Sequence, residues 1–206
     1  MSIVATGSLD GYFGELVGES IRTKGVHASG GASAYLVSLL SDYSHPERSH
    51  DDALHKPLGL LLGEALHEPD LGVRFDKLRS LGDGVLYASG FFSDHFAARG
   101  VDAKYLEGIG ARAYGTASGM LRSSSSTTSL EEAAAAIDIF RELADRFSAF
   151  VAVIADVADA ALASNASGAR QLLRLYERWL KTGSDRIAGA LSTQGMLPMR
   201  GPKGLH

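Results

Sequence analysis

The chain has 206 residues, 45% of them hydrophobic, no cysteine and a formal net charge of −4. That length and apolar content suit one folded domain with an ample core and exclude global disorder. The absent cysteines exclude a disulfide framework, a thiolate metal site and a thiol nucleophile, and the net acidity argues against wholesale nucleic-acid binding.

Met1 to Asp10 has neither a basic stretch nor a long apolar run, so no signal peptide is expected. No run of about 18 apolar residues is free of charge, so membrane integration is not expected and a cytoplasmic location is. Ser8 suits the cap of a first helix with Leu9, Tyr12, Phe13, Leu16, Val17 and Ser20 on one face. Gly25 is placed to end it. A second helix, Ala32 to Tyr43, presents Tyr35, Leu36, Leu39, Leu40 and Tyr43, and the polar stretch Ser44 to Asp52 with Pro46 reads as a loop.

A third helix is predicted from Ala53 to Glu68, ended by Pro69. Pro57 is tolerated only near a first turn, which moves the regular start to Lys56 or Pro57. A fourth, long segment runs from Asp70 or Leu71 to Ala98, with Phe75, Leu78, Gly82, Val85, Leu86, Ser89, Phe92 and Phe96 inward. Its register passes unshifted through Gly82-Asp83-Gly84, which favours one helix packed closely at Gly82, with room for a kink. Asp102 caps a fifth helix to about Leu121, with Leu106, Ile109, Gly110, Ala113, Tyr114, Ala117 and Met120 inward, and Arg122 to Thr128 reads as a flexible linker.

Ser129 to Ala163 reads as one long amphipathic helix on which the others pack. Ser129 and Glu132 form a capping box, four alanines follow, and Phe140, Leu143, Ala144, Phe147, Val151, Ile154, Ala158 and Leu162 share a face. Asp138, Glu142, Asp145, Asp156 and Asp159 lie away from that face. The wider apolar arc of Phe147 to Val157 implies burial on more than one side and allows a break near Phe147-Ser148. A further helix runs from Ser164 or Asn165 to Lys181, with Leu172, Leu175, Tyr176 and Trp179 inward and Gly183 as its stop, and Ser184 caps a last one to about Gln194.

Strand periodicity is lacking. The expected fold is all-α: a single-domain bundle over residues 8–195, of about seven helices around one long central helix, with 1–7 and 196–206 as loose termini.

Candidate sites are few. Glu64-x-x-His67 has the spacing of a bundle metal motif, but no second copy exists and both residues fall away from the apolar face. His45, His50 and His55 recur near Asp51, Asp52 and His67, at a spacing that fits neither helical ligands nor a known finger. His95 reads as a rim residue. Neither a nucleophile elbow nor a phosphate-cradling glycine loop is present, so no catalytic residue, metal or cofactor is assigned. Small residues on the fifth helix (Gly108, Gly110, Gly115, Gly119), with Gly82 and Ser89 on the fourth, suit internal packing more than a homodimer seam.

The strongest functional feature is charge. From Ser164 to His206 seven basic residues face two acidic ones, +5, against −9 for the rest. Arg170, Arg174, Arg178 and Lys181 fall within roughly 80° on the face opposite Leu172, Tyr176 and Trp179. The expected function is therefore non-catalytic: binding of a protein partner or self-association through helix surfaces, with this stripe as the contact. The alternatives are an enzyme or sensor with a metal or small-molecule pocket between helices, lined by Tyr35, Tyr87, Tyr105, Tyr114 and His55, and nucleic-acid binding by the basic C-terminal helices, which the acidic body opposes.

Overall fold

The computed structural model describes residues 8–44, 56–124, 130–166 and 168–199. Among them every regular element is helical: α1 (Leu9–Lys24), α2 (Gly30–Tyr43), α3 (Leu58–Leu66), α4 (Leu71–Phe91), α5 (Ser93–Ala98), α6 (Ala103–Ser124), α7 (Leu130–Asp145), α8 (Phe147–Ser164), α9 (Ala169–Thr182) and α10 (Asp185–Thr193). Contacts group the chain into two compact units, divided between Ile154 and Ala155.

Helix ends in the first unit follow local chemistry. Ser8 Oγ accepts the Gly11 N–H at 3.1 Å, Ser29 Oγ that of Ala32 at 3.0 Å, and Asp70 Oδ1 that of Val73 at 2.9 Å, each satisfying a first-turn donor with no intrahelical partner. Gly25, at φ +63°, closes α1 by returning its N–H to Arg22 O. Helix α3 begins just after Pro57, which has no N–H to lose.

The bundle is organised around α6, which packs along both α4 and α7; α2 also touches both. Leu106, Ile109, Ala113, Tyr114 and Ala117 of α6 are buried, as the periodicity predicts. Leu78, Leu86, Leu143, Phe147 and Phe150 join them, each contributing ~1.5–3 kcal/mol by leaving water. Two glycines make room for rings. A Cβ at Gly82 would lie 2.7 Å from Tyr114 Cε1, and one at Gly110 would collide with the Phe147 ring. The small residues at these positions thus serve internal packing.

Two expected long helices are each divided. The segment after Asp70 stays helical through Gly82-Asp83-Gly84 but turns at Phe92 (φ −120°), leaving α4 and α5. Helix α5 has no buried residue, so beyond Gly90 the apolar face has no core to follow. The predicted helix over 129–163 is α7 and α8, separated at Arg146. Hydrogen bonding continues through this bend, Arg146 N–H to Glu142 O at 3.0 Å and Phe150 N–H to Arg146 O at 3.1 Å. The α1–α2 connection is tied here: the Arg146 guanidinium donates to His27 O, and Glu142 Oε1 accepts the Ser29 N–H at 2.9 Å. The Ser129 cap and the His45, His50 and His55 group lie outside the described residues.

The second unit comprises the turns of α8 from Ala155, with α9 and α10. Leu175, Trp179, Ile187 and Leu191 form its core, with Tyr176 and Met196 packed against it. Gly183, at φ +67°, turns the chain between α9 and α10, and Ser184 caps the latter. Asp156 and Asp159 lie away from the apolar stripe in the sequence pattern but are buried in the fold. Each meets a guanidinium: Arg186 Nε donates to Asp156 Oδ2 at 2.9 Å and Arg178 Nε to Asp159 Oδ1 at 3.0 Å. By length and composition α8 is apolar enough to cross a membrane, and 44% of it is buried within the protein.

Candidate functional site

Helix α9 separates the four cations of the expected stripe. Arg170, Arg174 and Lys181 are exposed. Arg178 is largely enclosed and committed to Asp159. Two large apolar residues stand beside the free cations, Leu173 (56% exposed) and Leu180 (45%). At about 100° per residue these leucines lie roughly 20° apart on one flank of the cationic arc. Leu162, Leu197 and Met199 of the same unit are exposed as well, and the Tyr176 hydroxyl donates to Met199 O at 3.2 Å. The outer face of α9 is therefore basic and apolar together. Leu173 and Leu180 lie outside the inward arc of α9, and their spacing of seven is the sequence signal for this second apolar strip.

In the first unit the tyrosines named for a pocket do something else. Asp83, on α4, accepts from Tyr35 Oη of α2 at 2.6 Å and from Tyr114 Oη of α6 at 2.7 Å, both on Oδ1. Arg79, one turn earlier, lies 3.6 Å from Asp83 Oδ2 and donates to Tyr35 Oη at 3.3 Å. Burial pushes the Tyr35, Tyr43 and Tyr114 phenols well above the usual tyrosine range, and the negative charge of Asp83 pushes them further. All three phenols are neutral at physiological pH, and those of Tyr35 and Tyr114 donate to Asp83. The carboxylate is already satisfied, so the cluster clamps three helices together and offers no free base. Tyr87 stacks between Tyr43 (4.5 Å) and Phe91 (4.6 Å), and Tyr105 Oη accepts the Gly59 N–H at 3.0 Å.

A cavity of about 290 Å³ opens beside α5. Its walls are mostly apolar, from Phe96, Ala97, Val101, Leu106, Phe147 and Val151. Ser89 and the half-buried Glu107 supply polar groups. Ser89 is 8% exposed, and its hydroxyl has no protein hydrogen-bond partner among the described residues.

Glu64 points outward to Lys56 at 3.3 Å, and His67 is exposed with Nδ1 2.8 Å from Gly63 O. His95 is an exposed residue of α5. Among the described residues no three His, Asp or Glu side chains gather closely enough to hold a metal ion. No protein-family model matches this sequence, and no curated protein or solved structure matches it either.

Proposed function

We propose that this chain is a non-catalytic helical protein that binds an acidic protein partner through the outer face of α9. The observation that carries the reading is the pairing of Arg170, Arg174 and Lys181 with exposed Leu173 and Leu180 on one helical surface. Cations in solvent alone need no partner. Exposed leucines alone are ordinary. Their combination matches an interface in which apolar anchors sit beside charges that steer and orient. A nucleic-acid backbone would engage the cations and leave the leucines in water. The most prominent buried polar cluster of the first unit, around Asp83, is satisfied internally, which supports a binding role over a catalytic one.

The test is charge reversal of Arg170, Arg174 and Lys181 to Glu in the full chain, with Leu173→Ser and Leu180→Ser as a second variant. Arg178 is left alone, because a carboxylate there would face Asp159. Protein complexes trapped by cross-linking at low salt in the parent should be lost from both variants and should not be trapped when salt is raised before cross-linking. Complexes retained equally by all three proteins overturn the assignment. Binding to anionic vesicles with no protein complex would make the face a membrane contact instead.

A further inference from the structure

The cavity beside α5 carries an inference independent of the α9 face. Several serines and threonines at or within helices return their hydroxyl to the carbonyl four residues back: Ser44 to Leu40 at 2.7 Å, Thr116 to Arg112 at 2.8 Å, Thr182 to Arg178 at 2.9 Å and Ser192 to Ala188 at 2.9 Å. Ser89, in the last turn of α4, makes no such bond and lines the cavity with its hydroxyl unpartnered by protein among the described residues. A buried hydroxyl without a partner is destabilising, and native folds rarely keep one without reason. The sequence pattern counted Ser89 among the core positions of α4. The fold places it against an accessible space.

We infer that this cavity is a binding site for a small, neutral, largely apolar molecule whose one polar group hydrogen-bonds Ser89. The size follows from the volume. A dry cavity of about 150 Å³ takes up a benzene-sized guest, so about 290 Å³ suits two fused rings or a medium-length chain. The polarity follows from the walls, which are apolar except for a few hydroxyls and one carboxylate. The charge preference follows from Glu107, whose carboxylate opposes an anionic guest and disfavours fatty acids and aryl carboxylates. Access follows from α5, a two-turn wall with no buried residue of its own. Ser89 would be a binding residue here, not a catalytic one: its neighbours include no histidine or lysine to activate it.

The experiment titrates the full chain with 1-naphthol, naphthalene and 1-naphthoate by calorimetry. Two variants accompany the parent: Ser89→Ala, which removes the hydroxyl, and Ala97→Phe, which fills the cavity from an exposed position on α5. Circular dichroism confirms that each remains helical. The parent should bind 1-naphthol saturably and 1-naphthoate at least tenfold more weakly. Ser89→Ala should weaken 1-naphthol by up to about tenfold, the worth of one neutral hydrogen bond, and leave naphthalene unchanged. Ala97→Phe should abolish binding of both. No saturable binding of 1-naphthol to the folded parent overturns the site, as does equal affinity across the three proteins. Equal affinity for 1-naphthoate overturns the neutral-ligand assignment.

Discussion

One carboxylate oxygen of Asp156, Oδ2, receives both Nε (2.9 Å) and Nη2 (2.7 Å) of Arg186 inside the second unit. The partners differ in burial: the Asp156 side chain is 2% exposed and that of Arg186 18%. Removing the cation therefore harms more than removing the anion, because a sealed carboxylate loses its counter-charge while an arginine can still reach water. Arg186→Leu should destabilise the second unit by about 3–5 kcal/mol. Asp156→Asn should cost clearly less, and the double change Asp156→Leu with Arg186→Leu should recover much of the loss. Urea unfolding of the three variants decides it; equal losses for the two single changes would refute the asymmetry.

Gly82 and Gly108 should respond to alanine in opposite directions. In a helix interior alanine is favoured over glycine by about 1 kcal/mol. At Gly108, on α6, an added Cβ meets nothing within 4 Å, so Gly108→Ala should raise the melting temperature. At Gly82 the added Cβ would sit 2.7 Å from the Tyr114 ring, which is itself held by Asp83. Overpacking of this kind costs ~1–3 kcal/mol, so Gly82→Ala should lower stability despite its better propensity. Thermal melts that move together would show that the ring yields.

The buried phenols predict alkaline unfolding. Tyr35, Tyr43 and Tyr114 have folded pKa values raised above that of an unfolded tyrosine, about 10. Below pH ~10 both states hold the proton and stability is intact. Above it the unfolded state ionises first, so stability falls as pH rises toward the folded values. The tyrosinate absorbance of these residues should appear together with loss of helical circular dichroism. Complete ionisation with the helix intact would contradict the burial.

Ser89 and Ser118 are both buried serines of neighbouring helices, with opposite hydrogen-bond status. Ser118 Oγ donates to Ile137 O at 3.1 Å, linking α6 to α7. Ser118→Ala should cost about 1 kcal/mol. Ser89→Ala removes a hydroxyl with no protein partner and should be neutral or stabilising in ligand-free protein. Chemical denaturation of the two variants side by side checks the difference in sign.

Much of the helix inventory was legible in the sequence because caps and stops are local. Ser8, Asp70 and Ser184 bond an N–H three residues on, and Gly25 and Gly183 adopt the left-handed turn that lacks a Cβ penalty. The inward residues of α6 and α9 follow from the 3.6-residue period. Exposure of Arg170, Arg174 and Lys181 follows from the same count. Tertiary structure alone decided which polar residues go inside. Asp83, Asp156 and Asp159 look like solvent residues by pattern, and each is enclosed because its partner comes from far along the chain: Tyr35 is 48 residues from Asp83, Arg186 is 30 from Asp156 and Arg178 is 19 from Asp159. The division at Phe92 is tertiary as well, because α5 beyond it has no buried residue. The one at Arg146 lies beside the Phe147-Ser148 position where the widening apolar arc allows a break, and buried Leu143 and Phe147 flank it on either side. The cavity at Ser89 arises from four segments that no periodicity brings together. Helical period and capping are properties of neighbours in sequence. Burial of charge and the shape of a void are properties of neighbours in space, which a single helix pattern does not encode.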